Sequence, residues 1–128
     1  MSVLLVEQLG RCFRVGDREG ALALLHPQVR IQQPASLPHG GWHEGYDGMA
    51  KMGEIFAQHW DRTIDDPRVF GGKPCVTQVT TQTWTAKATG RSAKVDVVEL
   101  FAFADDRIVE IRVFQQDTHL LLATLPDE

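Results

Sequence analysis

The sequence has no run of lysine or arginine, no CxxC pair, and no apolar stretch approaching the ~20 residues that a membrane-spanning helix requires. Each absence removes a class of function. With a formal charge of −4 and no basic cluster, the chain offers no electrostatic footprint for a polyanion, so nucleic acid is not an expected partner. Cys12 and Cys75 stand alone, one in an expected helix and one at a strand start, which reads as two reduced thiols rather than a disulfide or a metal site. Glu7, Gln8 and Arg11 interrupt the apolar residues between Met1 and Phe13. A cytoplasmic protein without a membrane partner is expected. There is no internal repeat, low-complexity tract or linker, and 128 residues with 43% hydrophobic content suit one domain over residues 1–128.

What is present falls into a helical first half and a stranded second half. Leu5, Leu9, Cys12 and Phe13 follow helical spacing up to Gly16, and Asp17 caps a second helix carrying Ala21, Leu22, Leu24 and Leu25, stopped by His26-Pro27. Val29 to Gln33 reads as a short strand, followed by a loop from Pro34 to Gly45 rich in Pro, Gly and His. Met49, Met52, Ile55, Phe56, His59 and Trp60 mark a third helix, in which Gly53 points to close packing against a sheet. Arg62–Phe70 and Cys75–Ala88 read as strands around Gly71-Gly72-Lys73-Pro74, and a short helix ends the chain at 118–124.

The strongest signal is a long hairpin over 95–117, with Val, Ile and Phe in both arms and Asp105-Asp106 between them. Along its first arm Val95, Val97, Glu99, Phe101 and Phe103 share one face and Val98, Leu100 and Ala102 the other. Neither face is polar, so the sheet is expected to be covered on both sides. That puts one carboxylate, Glu99, on an apolar face, where it must be paired, hydrogen-bonded or held neutral.

Helix, helix, strand, helix and then antiparallel strands is an α+β order. The Gly16-Asp17 break, Val29-Arg30-Ile31-Gln32-Gln33-Pro34, the Glu44-Gly45-Tyr46-Asp47-Gly48-Met49 helix entry and the terminal Phe114-Gln115-Gln116-Asp117 resemble the nuclear transport factor 2-like superfamily, in its SnoaL-like and ketosteroid-isomerase-like branch. The resemblance covers the whole chain. It implies a cone-shaped, curved antiparallel sheet packed against three N-terminal helices, with a pocket between them. It implies nothing specific about activity, because this fold hosts enzymes and noncatalytic binders alike.

Transferred residue by residue, the known catalytic sets of the superfamily are incomplete here. The base aspartate of the steroid isomerases falls on Gln33 and their tyrosine on Leu9; only their protonated aspartate finds an acid, Glu99. The positions of the epoxide hydrolases fall near Thr80, Gln82 and Val113, none of which is an acid or base. The last-strand acid or base of the SnoaL-like cyclases falls on Gln115, with Asp117 at the mouth.

The pocket face is therefore expected to carry Gln33, Thr80, Gln82, Trp84, Glu99 and Gln115, with Ile31, Phe101, Ile111 and Val113 as apolar walls and His39, Trp42, His43 and Tyr46 near the mouth. Glu99, with His39 or His43 turned inward, would form an acid/base pair. Against this stands a structural Glu99 that locks the sheet through its hydrogen bonds, and solvated loop histidines. Three functions follow. The first is a cofactor-independent SnoaL-like cyclase, isomerase or dehydratase acting by acid–base chemistry on a small hydrophobic carbonyl compound. The second is a noncatalytic binder of a small, partly polar organic molecule, and the third a protein-interaction module. No cofactor and no metal are implied, since His39, His43, Glu44 and His59 lack metal-ligand spacing. The outer face, Val98, Leu100 and Ala102 with Thr77, Val79, Thr81, Thr83 and Phe114, is expected to form a homodimer.

Overall fold

The computed structural model describes residues 2–127. Two helices, α1 (Ser2–Val15) and α2 (Arg18–Leu24), lead into strand β1 (Leu25–Gln33). Gly16 at φ +73 turns the chain between the helices, and the Asp17 carboxylate accepts from the Gly20 amide at 2.9 Å, satisfying an otherwise orphaned donor of α2. Then follow β2 (Gly41–Glu44), α3 (Gly45–His59), β3 (Trp60–Phe70), β4 (Val76–Ala86), β5 (Ser92–Ala104), β6 (Arg107–Gln115) and α4 (Thr118–Leu122). The six strands form one sheet in the order β2-β1-β6-β5-β4-β3. Helices α1, α2 and α3 pack on one side of it.

The expected α+β architecture is present, with four local departures. The sheet is antiparallel at every junction except β1–β6, which runs parallel. Parallel neighbours need a long crossover, and the whole chain between residues 33 and 107 supplies it. Leu25 and Trp60 leave their expected helices and become first residues of strands, each closing the preceding helix with its backbone N–H. The Pro/Gly-rich loop contains a four-residue strand, β2, paired with β1 so that Ile31 faces His43 and Gln32 faces Trp42.

The register of the inner face follows from composition. β4 alternates strictly between buried and half-buried residues, so Val76, Gln78, Thr80, Gln82, Trp84 and Ala86 all point inward. At the β5–β6 turn Asp105 and Asp106 take φ of +53 and +59. Positive φ at both central residues is the type I′ geometry whose twist matches flanking strands, and Asp tolerates it better than most residues. β3 is less regular. Asp66 at φ +50 and a register shift between Asp65 and Arg68 interrupt its pairing with β4.

Helix α3 contains no fully buried residue. Its apolar side, including Tyr46, Met49, Met52 and Phe56, is half-buried against the core. Gly53 corrects the expectation of close packing: a Cβ built there meets nothing within 4 Å. Glycine in the interior of a helix costs about 1 kcal/mol against alanine, and here no contact offsets that cost. Gly53→Ala is expected to stabilise the protein by about 0.5–1 kcal/mol, read as a higher denaturant midpoint at unchanged m-value. A destabilised variant would show that the helix approaches a neighbour at this point.

Candidate functional site

Between the helices and the concave face of the sheet lies an open cavity of about 380 Å³, a size at the lower end of small-molecule sites. Its apolar lining comes from Leu9 and Phe13 of α1, Leu22 of α2, Leu25 and Ile31 of β1, Met49 and Met52 of α3, Phe101 of β5 and Ile111 of β6. Its polar groups sit mainly on the sheet: Gln33, Arg62, Gln78, Thr80, Gln82 and Glu99, with Tyr46 on α3.

Most of these polar groups hold one another. Gln78 and Glu99 face each other across β4 and β5, and the Gln78 amide donates to Glu99 Oε1 at 3.1 Å. Trp84 Nε1 donates to Gln82 Oε1 at 2.9 Å, and Gln82 Nε2 donates to Thr80 Oγ1 at 3.0 Å. Gln115 Nε2 reaches Gln33 Oε1 at 3.4 Å. The Tyr46 hydroxyl donates to the Leu25 carbonyl at 3.0 Å, which ties α3 to the start of β1.

The charged groups are Glu99 and Arg62, together with Arg14, Asp17 and Arg18 near the α1–α2 turn. Desolvation pushes the Glu99 pKa above the ordinary value of 4.5, while the Gln78 hydrogen bond and the Arg62 charge pull it part of the way back. Desolvation also lowers the Arg62 pKa, and the Glu99 charge opposes that shift. Asp17 is exposed and engaged as the cap of α2. Glu99 is therefore the one carboxyl on the sheet side of the cavity among the described residues.

Of the residues expected at the site, Gln33, Tyr46, Thr80, Gln82, Glu99, Phe101, Ile111 and Ile31 line this cavity. His39, Trp42, His43, Trp84, Val113 and Gln115 do not. His39 is only 3% exposed and packs edge-on to Phe56 and Trp60, with ring centroids 5.3 and 6.0 Å away, beside Trp84 at 5.8 Å. This aromatic cluster lies one step further along β4 than the cavity and fills that end of the cone. His43 Nε2 donates to the His39 carbonyl at 2.8 Å, so it stabilises its own loop. Neither histidine completes an acid/base pair with Glu99. Trp42 is 42% exposed on edge strand β2, where the Arg30 guanidinium stacks 4.3 Å from its ring centroid. Val113 is buried in the core and Gln115 is turned to Gln33.

Of the polar groups on the sheet wall of the cavity, two escaped the sequence reading. Gln78 shares the alternation that identifies Thr80 and Gln82, so its signal was present. Arg62 gave none, because β3 is too polar and irregular to show an inner face. Among the described residues no group of three or more His, Cys, Asp or Glu side chains is placed to hold a metal ion. Nor is any helix long and apolar enough to cross a membrane.

Residues 6–111 match the SnoaL-like domain family. The chain belongs to that family. Among solved structures of the same fold, a nuclear transport factor 2-like protein of Burkholderia thailandensis superposes with a TM-score of 0.90 at 19% identity, over 98% of each chain. A similar protein of unknown function from Burkholderia pseudomallei gives 0.86 at 24% identity, over 99% of this chain and 100% of the other. TerC, co-crystallised with polyporic acid, gives 0.86 at 20% identity over 96% of each chain. No curated protein matches the chain in sequence. At these identities the structural likeness establishes the fold alone.

The aromatic cluster generates a pH prediction. Desolvation, reinforced by the charges of Arg62, His43 and His59, lowers the His39 pKa from 6.5 to about 4. The unfolded chain then binds the proton more readily than the native one. Stability is complete above pH 6.5 and is lost as pH falls toward 4. The loss attributable to this group approaches about 3 kcal/mol at the acid end. His39→Phe is expected to flatten the dependence of unfolding free energy on pH between 6.5 and 4. An unchanged slope in urea melts across that window would refute the assignment.

Proposed function

We propose that this SnoaL-like protein receives a small, largely apolar carbonyl compound in the cavity and moves a proton on it without a cofactor, with Glu99 as the acid. The observation that carries the reading is a lone carboxyl on the sheet wall, among apolar neighbours, held nearer its neutral form than an ordinary glutamate. A carboxylic acid in such a setting donates its proton to a carbonyl oxygen while solvent water entering the open cavity takes the adjacent C–H proton; on return to the ketone, water delivers a proton to carbon and the enol O–H proton goes back to the Glu99 carboxylate. Gln78 fixes the orientation of the carboxyl through Oε1 and leaves Oε2 for a ligand. Cyclisation, isomerisation and dehydration of carbonyl compounds all use such a step. The co-crystal of TerC with polyporic acid supports the view that this fold admits small organic ligands.

A noncatalytic binder is the second reading. It is favoured by the neutral amides Gln33 and Gln82 and by the withdrawal of both histidines from the cavity. Deuterium incorporation next to the carbonyl of a panel of small cyclic ketones and diketones separates the two. Wild type is expected to catalyse exchange and Glu99→Gln to lose about 10²–10⁴-fold of it. Because the folded pKa of Glu99 is raised, its contribution to stability is present below pH 4.5 and lost as pH rises through the folded value. Glu99→Gln is thus expected to be at least as stable as wild type at neutral pH, so that lost exchange is not lost fold. Tight binding of the same ketones with no exchange by wild type would select the noncatalytic reading.

We further propose that the protein works as a homodimer in the cytoplasm, joined through the outer sheet face. Val98, Leu100 and Ala102 are half-buried there beside Thr77, Val79, Thr81 and Thr83, and Phe114 is 43% exposed. Leu100→Lys places a charge in that face and is expected to give monomers or insoluble protein. Sedimentation of soluble Leu100→Lys at the wild-type mass would count against this assembly.

A further inference from the structure

We infer that the ligand of this cavity is an organic anion, a carboxylate attached to an apolar ring system, whose charged end is taken by Arg62. The inference rests on the ligand-pocket reading above and adds to it the charge of the ligand and the residue that selects it.

Arg62 is the third residue of β3, paired in register with Trp84 of β4. Its guanidinium lies 4.7 Å from the ring centroid of Phe56, so the aromatic face sets its plane. It lines the cavity. Among the described residues no carboxylate comes within ion-pair distance of it, although Arg30, Arg68 and Lys87 each have such a partner. Nor does it donate a side-chain hydrogen bond there, whereas Arg30, Arg91 and Arg112 do. The residue as a whole is exposed, while desolvation of its guanidinium is the largest influence on its titration. A planar fork of donors, oriented by stacking and left unpaired, matches the two oxygens of a carboxylate.

The surrounding charges point the same way. The chain as a whole carries −4, but the cavity brings together Arg14, Arg18 and Arg62 against only Asp17 and Glu99. Asp17 is occupied by the cap of α2, and Glu99 is biased toward its neutral form. Local charge is thus opposite in sign to the net charge, an arrangement that draws small anions toward a site on an otherwise acidic protein. The apolar walls, Leu9, Met49 and Phe101 among them, accommodate the rest of the molecule.

Equilibrium binding of naphthoate and of naphthamide at neutral pH tests the inference. The two probes share shape and apolar area and differ in charge. Naphthoate is expected to bind wild type at least about tenfold more tightly, the ratio that one charge-assisted contact supplies. Arg62→Gln is expected to erase that preference while leaving naphthamide within about twofold of its wild-type affinity. Equal affinities of the two probes for wild type, or an acid preference that survives Arg62→Gln, would overturn the role of Arg62 and leave the pocket reading standing. Failure of both probes to bind wild type would defeat both readings. The wild-type comparison decides the ligand charge even where the variant folds poorly.

Discussion

The register between β4 and β5 is the constraint on which the cavity depends. Side chains on a strand alternate with period two, so a slip of one residue would carry Gln78, Thr80, Gln82 and Glu99 to the outer face together. Two features hold that register. The apolar members of the two inner faces, Val76, Trp84 and Ala86 on β4 and Val95, Val97 and Phe101 on β5, would all be expelled by a slip. Thr81 Oγ1 donates to the Asp96 carboxylate at 2.9 Å across the outer face of the same pair. Across β5 and β6 a register shift between Ala102 and Phe103 takes up Val109 as an extra residue and so brings Ile111 opposite Phe101 and Val113 opposite Glu99. Glu99 thus occupies its place because its neighbours have nowhere else to go.

The cone divides into a packed end and an open one. At the packed end Trp60 and Trp84, each 1% exposed, lie tilted to each other with ring centroids 5.0 Å apart beside Phe56 and His39, and Trp60 Nε1 donates to Thr124 Oγ1 at 2.8 Å. Truncating a buried aromatic costs about 3–5 kcal/mol, a large share of the roughly 5–15 kcal/mol that keeps a domain folded. The cavity end contributes less, since α3 buries no residue fully and its Met and Tyr side chains line the cavity. Stability concentrated at one end allows the other to keep polar groups and an open cavity. His39 belongs to the first end. Its buried ring fills volume beside the tryptophans and leaves Nδ1 without a partner among the described residues, a setting that a histidine facing a ligand would not share.

Legibility followed periodicity. Where a strand alternates over many residues, as β4 and β5 do, the sequence showed which side chains share the cavity, and Thr80, Gln82, Glu99 and Phe101 were readable from it. Where backbone geometry breaks the period, the reading failed. β3 bends at Asp66 and is mostly exposed, so Arg62 looked like one more surface arginine. The loop after Pro34 looked solvated by composition. Instead Leu37 and His39 turn into the core because the aromatic cluster of α3 and β4 offers them burial that no local pattern encodes. Trp84 and Gln115 were placed on the correct face but at the wrong depth, since alternation reports side and not position along the cone.

Arg62 and Glu99 are coupled through the cavity, and the coupling has a direction. The Arg62 cation favours the ionised form of Glu99 and so works against the desolvation that raises its pKa. A carboxylate seated on Arg62 would cancel that influence and add its own negative charge nearby. Both changes raise the affinity of Glu99 for a proton, and the incoming ring would expel water from the same walls. Binding an organic anion would therefore increase the fraction of Glu99 that carries the proton at the moment a carbonyl is presented to it. By linkage the protonated protein would bind the anion more tightly than the deprotonated one. In this arrangement the residue that selects the ligand also prepares the acid, and no histidine is needed to do so.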